Sequence, residues 1–435
     1  MTEQPFDLII LDQRIPSADD VLDADVTHGR AVFEQARKMV PDTPVYFLTG
    51  LPMEDDYVDQ LIHEGTRSDI FGTRAPVPLV ARFQKSTMSP FYEAAAKLAS
   101  EAHITDEIEI NRRGAQISLT PSEARLIRVF ARQHNGVCAD LSVLAGGLSS
   151  SRVFRIDVRD SSGGVRISSA CKIGPSDVIV GEIRSFEHEV VRLPAGSYAP
   201  LIPGTLPQVG TNRGAFYRLL DGYDRSLFDL LKVSSKQAAT VVSAIKASQQ
   251  PWFRNARPER RRIKELLSLV VDSSKIAQIH EQITTFDWEP FEEREVLVNF
   301  CTRHGDLHGG NVLVNSAGQS MMLDYGAIGE YPSAFDAVTL ELCVYFHPNV
   351  RDILLLDRSS VDIDWFDLEL FCARTMVPEF TQATRAWAHA EGFGEREILA
   401  CCYIYALRQL QFDGTDKVLA LALAEGIVNR AERSW

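Results

Sequence analysis

The stretch HGDLHGGNVLVNSAGQSMMLDYG, residues 304–326, constrains this chain more than any other. It packs Asp306, Asn311, Asp324 and five glycines into 23 residues, around two short apolar runs. A helix or a single long strand disfavours that composition, because interior glycine costs about 0.5–1 kcal/mol relative to alanine. The pattern reads as loop, strand, turn, strand, loop, with VLVN and SMML as strands joined by SAGQ. A hairpin of that size returns the chain to where it began. It therefore brings Asn311 and Asp324 to one end, next to Asp306. An amide and carboxylates are hard oxygen donors that suit magnesium, which takes few protein ligands and completes its shell with water and phosphate.

The order His304-x-Asp306-Leu307-x-x-x-Asn311, followed by Asp324-x-Gly326, resembles the catalytic segment of the kinase-like fold. The resemblance implies that Asp306 is the base accepting a substrate hydroxyl proton and that Asn311 and Asp324 are metal ligands. It also implies that His304 holds the loop by hydrogen bonds. Such a fold needs a phosphate loop and a lysine upstream. LAGGLSSSRVFRIDV, residues 144–158, reads as strand, turn, strand, with Gly146 and Gly147 for close backbone approach and Ser149, Ser150 and Ser151 as hydroxyl donors. An ordinary hairpin would account for that turn equally well. The strand ISSACKIG carries Lys172, the only lysine between residues 98 and 231, matching the lysine that meets the α and β phosphates. The helix VGEIRSFEHEVVRL should then supply a glutamate. At 100° per residue, Ile183, Phe186, Val190 and Val191 define its inner face, which includes Glu187 and turns Glu182 and Glu189 away. Glu187 is therefore the expected partner, with a solvated glutamate as the alternative. FYRLLDGY, residues 216–223, matches the strand and hinge where adenine would meet the backbone of Leu219 and Leu220.

Two departures select a branch. Protein kinases place arginine before the catalytic aspartate, where this chain has Gly305, and they insert a peptide platform after the metal-binding aspartate. Here DYGAIGEYPSAFDAVTLEL enters a helix almost at once. The segment looks like the aminoglycoside phosphotransferase and choline kinase branch, in which Asp336 would match an acid bracing the catalytic loop. The resemblance covers residues 143–435. It implies an α+β bilobal fold, ATP and Mg2+ as cofactors, and a small-molecule hydroxyl as acceptor. The acceptor's identity is not legible. A non-catalytic, nucleotide-binding regulatory module is the alternative, although Asp306, Asn311 and Asp324 are all retained.

The first part of the chain reads as α/β. FDLIILD, PVYFLTG and PLVARFQK are apolar runs suited to buried parallel strands, with helical patterns such as GRAVFEQARKMV between them. Asp12, Thr49 and Lys85 stand at the strand ends. They resemble the phosphoacceptor, switch hydroxyl and lysine of a response-regulator receiver, which implies a phosphoacceptor site or a protein-docking surface. The receiver's first half, with its acidic metal-binding pair, is missing, and the proline expected after the lysine is Ser86. In SLTPSEARLIRVFARQ, Thr120 reads as an N-cap, Pro121 as the first helical residue and Glu123 as the closing member of a capping box. This is similar to the first helix of a winged-helix effector. The expected organisation is a truncated receiver-like α/β domain at 1–104, a helical linker at 105–142, a β-rich kinase-like lobe at 143–222 and a helical lobe at 223–435.

A net charge of −14 argues against a nucleic-acid partner. The basic run RNARPERRRIKELL, residues 254–267, reads as a solvated helix after Pro258. No run reaches the ~18 apolar residues of a membrane span, and the start lacks a secretory pattern, so a cytoplasmic location is expected. The seven cysteines include no CxxC pair, which makes them candidate buried apolar residues.

Overall fold

The three apolar runs near the start form parallel strands Ile9–Asp12, Val45–Thr49 and Val80–Gln84, with Val45–Thr49 in the middle. Successive side chains of a strand point to opposite faces. Val45 and Phe47 accordingly pack with Leu11, Phe33, Val58 and Val80, whereas Tyr46 packs with Phe71, Phe91, Leu98 and Ala102. Helices Val26–Met39, Asp56–Glu64 and Ser89–Asp106 alternate with the strands. The computed structural model of the chain describes residues 5–19, 21–50, 56–112, 117–144, 151–204, 206–351 and 365–434.

The segment expected as a linker is part of a sheet. Glu109–Arg112 and Cys138–Val143 pair in parallel and extend a five-stranded sheet that continues through Arg152–Arg159, Val165–Pro175 and Asn212–Arg218. The helix Pro121–Gln133 is the crossover of this parallel pair, as parallel connections require. Its start is as expected: Thr120 Oγ1 accepts from Glu123 N, and Glu123 accepts from Thr120 N in return. Leu126, Ile127 and Phe130 are fully buried against Leu141, Phe154, Ile156 and Phe216. A buried side chain of this kind contributes ~1.5–3 kcal/mol, so the helix belongs to the sheet's core. The expected boundaries shift with it. Residues 1–180 and 200–219 form one compact unit, and 181–199 and 220–435 form a second.

The second unit is mostly helical. Phe335–Phe346 is buried all round, and Glu395–Gln409 nearly so; helices apolar on every side occupy a core. Ser235–Ser248, Pro378–Glu391 and Lys417–Ser434 pack around them. Two small antiparallel sheets complete the unit. In one, Glu295–Arg303 lies between Arg257–Arg262 and Gly329–Pro332; in the other, Val312–Val314 lies between Arg225–Ser226 and Ser320–Met322. The basic run is therefore an edge strand, and its helix starts only at Ile263. The cross-strand register with Glu295–Arg303 outweighs helix propensity there. Among the described residues, no helix is long and apolar enough to cross a membrane.

Candidate active site

Glu295–Arg303 delivers the chain to the HGDLHGGN loop. Its last residue, Arg303, is fully buried and ion-paired with Glu391 at 2.6 Å. The loop then turns at Gly305, whose φ is +77°. A Cβ there would run into the carbonyl oxygen of Ala327 and stand 2.7 Å from the Tyr331 ring. Neither arginine nor any other side chain fits at this position, which is the local reason for glycine. The buried Asp336 carboxylate braces the turn. It accepts from His304 N at 2.9 Å, Gly305 N at 3.0 Å and Gln249 Nε2 at 3.0 Å. His304 Nε2 lies 2.9 Å from the Leu323 carbonyl oxygen. A carbonyl only accepts, so Nε2 carries the proton, and His304 ties the loop to the returning strand.

Asp306 is half-buried and ion-paired with Arg408, Oδ1 to Nη2, at 3.0 Å. Burial pushes the Asp306 carboxyl up, but Arg408, His308 and His304 outweigh it, and its pKa falls to about 2. His308 is buried and moves down from its ordinary value for that reason, against the pull of Asp306 and Asp324. Gly309 lies tight against the Phe228 ring, where a Cβ would come within 2.6 Å.

The hairpin folds as expected. Val312–Val314 pairs antiparallel with Ser320–Met322, and Leu323 N donates to Asn311 O at 2.8 Å. Asn311 and Asp324 thus leave the same end of the hairpin. Asn311 Nδ2 donates to the main-chain oxygen of Asp306 at 2.9 Å, which joins all three residues to one loop cluster. Because that oxygen only accepts, the Asn311 amide must present its nitrogen to it, leaving Oδ1 as the remaining oxygen. Asp324 holds a left-handed backbone, φ +60°, uncommon for a residue with a Cβ and frequent at functional sites. Asn311 Oδ1 and the Asp324 carboxylate are hard oxygens suited to magnesium. Among the described residues, no group of three or more His, Cys, Asp or Glu could hold a metal. A site here would consist of one amide and one carboxylate, with water and phosphate as its other ligands.

The remaining expected residues lie elsewhere. Lys172 is in the first unit, buried on the strand Val165–Pro175 and opposite Ala215 and Val153. Ser151 is buried beside Gly174 of that strand. Gly146, Gly147, Ser149 and Ser150 lie outside the described residues. Leu219 is buried and its N donates to Ser168 O at 2.9 Å, while Leu220 is exposed; the boundary between the units falls between the two. The expected glutamate needs correction. Glu187 is exposed, and the buried stripe of helix Ser176–His188 runs through Ile179, Glu182 and Phe186. Val190 and Val191, which shaped the expected face, fall in a separate 3-10 turn, and Val191 is half exposed.

At the end of the three-stranded sheet, Lys85 Nζ pairs with Asp12, and Lys85 N donates to Thr49 O at 2.8 Å. Asp12, Thr49 and Lys85 are thus at one sheet edge, with Thr49 buried and the ion pair exposed.

Arg408 was not foreseen. It follows the buried run CCYIYAL near the end of helix Glu395–Gln409, and only a cation set directly after that apolar run could have singled it out.

Residues 291–352 match the family model described as ABC1 atypical kinase-like domain, a span that includes the whole 304–326 segment. No curated protein matches the sequence significantly. Solved structures similar to the chain include an aminoglycoside-3'-phosphotransferase of type VIII, 14% identical, covering 67% of this chain and 93% of its own, with a TM-score of 0.34. A choline kinase from Streptococcus pneumoniae is 10% identical over 66% of this chain and 94% of its own, with a TM-score of 0.36. A Plasmodium vivax ethanolamine kinase is 10% identical over 79% and 95%, with a TM-score of 0.35.

Proposed function

We propose that the chain is a kinase-like phosphotransferase that moves the γ-phosphoryl group of ATP, with magnesium, to a hydroxyl of a small molecule. The observation that carries the reading is the Asn311–Asp306 hydrogen bond at the hairpin end that also presents Asp324. The kinase-like family match over residues 291–352 supports it. In this reading the acceptor oxygen bonds to the γ-phosphorus as the bond to the β-phosphate oxygen breaks, and the hydroxyl proton passes to Asp306 on its way to solvent. With its pKa near 2, Asp306 is ionised throughout the neutral range and acts chiefly by orienting the hydroxyl. Asn311 and Asp324 hold the metal, which when bound neutralises charge on the phosphates. Lys172 is proposed to meet the α and β phosphates, and the main chain at Leu219 and Leu220 the adenine. Glu182 replaces Glu187 as the candidate glutamate of its helix. A small acceptor is supported by the short passage from Asp324 through the strand Gly329–Pro332 into helix Phe335–Phe346, with no peptide platform between.

The test is phosphate transfer from Mg-ATP to a panel of hydroxyl compounds by the full chain and by Asp306→Asn. The expected result is a loss of at least ~100-fold with nucleotide binding retained. Undiminished transfer would remove Asp306 from its role.

The Asp12–Lys85 pair favours a second, receiver-like role for residues 1–104, as a phosphoacceptor or docking surface. Incubation with acetyl phosphate followed by intact-mass measurement of the wild type and Asp12→Asn tests it; equal labelling of both would exclude Asp12.

A further inference from the structure

The base of the proposed reaction is already paired. Arg408 Nη2 meets Asp306 Oδ1 at 3.0 Å, and Nη1 donates to the Gly305 carbonyl oxygen at 3.3 Å. Two contacts from one rigid, permanently charged fork fix its place. The side chains are 16% and 30% exposed, so the cation sits beside the carboxylate at the accessible end of the loop. An ammonium group is drawn to a carboxylate that is not already committed, and among the described residues four buried acids of this unit are committed. Asp336 takes two loop N–H groups. Glu391 is paired with Arg303 and Glu341 with Arg385. Glu397 accepts from Asn299, Ser333, Ala334 and Phe393. In the phosphotransferase reading Asp324 is occupied by metal.

Resting on that reading, we propose that Arg408 sets the charge class of the acceptor: the site takes an uncharged hydroxyl compound, a polyol or a sugar without amino groups, and turns away ammonium-bearing ones. Arg408 is a positioning residue. It aims Asp306 at the acceptor hydroxyl and cancels the negative charge that would otherwise attract a cation.

The experiment compares glucose with glucosamine, and glycerol with choline, as acceptors from Mg-ATP, using the full chain, Arg408→Gln and Arg408→Lys. For the wild type, kcat/KM is expected to favour the neutral member of each pair by at least ~10-fold. Arg408→Gln should shift the ratio at least ~10-fold toward the cation, and Arg408→Lys should restore the wild-type preference, which a merely structural role would not do. Wild-type preference for glucosamine or choline, or an unmoved ratio in Arg408→Gln, overturns the proposal. Where turnover is too slow to rank the compounds, thermal shifts decide. A gain in Tm from the cations in Arg408→Gln alone supports the proposal, and no such gain contradicts it. Should Arg408→Gln fail to fold, the wild-type preference decides by itself. Transfer insensitive to Asp306→Asn would end the phosphotransferase reading, whereas Asp306-dependent transfer that prefers cations ends only this inference.

Discussion

Asn311 donates its side-chain Nδ2 to the main-chain oxygen of Asp306 at 2.9 Å, so one amide both shapes the loop and leaves an oxygen for a cation. Asn311→Asp separates the two roles. The variant keeps an oxygen ligand but loses the N–H donor and sets a carboxylate against a carbonyl. Nucleotide binding in the presence of magnesium should persist, while phosphate transfer falls at least ~10-fold, equivalent to about 1.4 kcal/mol of barrier. Full activity in this variant would show that the hydrogen bond does not position Asp306.

Gly305 is expected to tolerate nothing else. Its φ of +77° costs a residue with a Cβ roughly 1–2 kcal/mol, and the Ala327 carbonyl and Tyr331 ring leave no space for that Cβ. Gly305→Ala should lower unfolding stability by more than 2 kcal/mol, about the upper end of that backbone cost alone, in chemical denaturation. A change below about 0.5 kcal/mol, the range of ordinary surface substitutions, would mean that the turn relaxes freely.

Glu182 and Glu187 offer a paired test on one helix. Glu182 is 1% exposed and Glu187 lies in solvent. Glu182→Gln should reduce phosphate transfer at least ~10-fold, because burial makes an acid costly to keep at a position where it has no task. Glu187→Gln should change it by less than twofold. Equal effects would restore Glu187 as a candidate.

These particulars show what was legible in the sequence. The strands at 9–12, 45–49 and 80–84 could be read because a parallel strand buried on both faces is continuously apolar. The 304–326 hairpin could be read because its polar residues sit at loop ends. Glu182 could not, because the regular 100° rotation was carried past the helix end into a 3-10 turn, and Val190 and Val191 tilted the expected stripe. The strands at 109–112 and 138–143 hid because they are short and gain their stability from cross-strand pairing that no local pattern announces. Arg408 hid for a related reason: its partner lies 102 residues earlier.

His347 gives the fold a pH dependence. Burial, then the neighbouring His308, lowers its pKa from 6.5 to about 4. The folded state therefore binds this proton less readily than the unfolded chain does. The stability linked to neutral His347 is present above pH 6.5 and is lost progressively as pH falls toward 4. His347→Phe, which keeps the aromatic contact with Phe228, should flatten the decline across that window in denaturation at fixed ionic strength. An unchanged slope would assign the decline to other groups.

The central claim is that Asn311 and Asp324 hold one divalent cation on a nucleotide, with Asp306 acting on the acceptor and not on the metal. Paramagnetic resonance of Mn2+ titrated with a non-hydrolysable ATP analogue tests it without turnover. A bound Mn2+–nucleotide signal is expected in the wild type and in Asp306→Asn, and its loss in Asp324→Asn. An equal signal in all three, or none in the wild type, would contradict it.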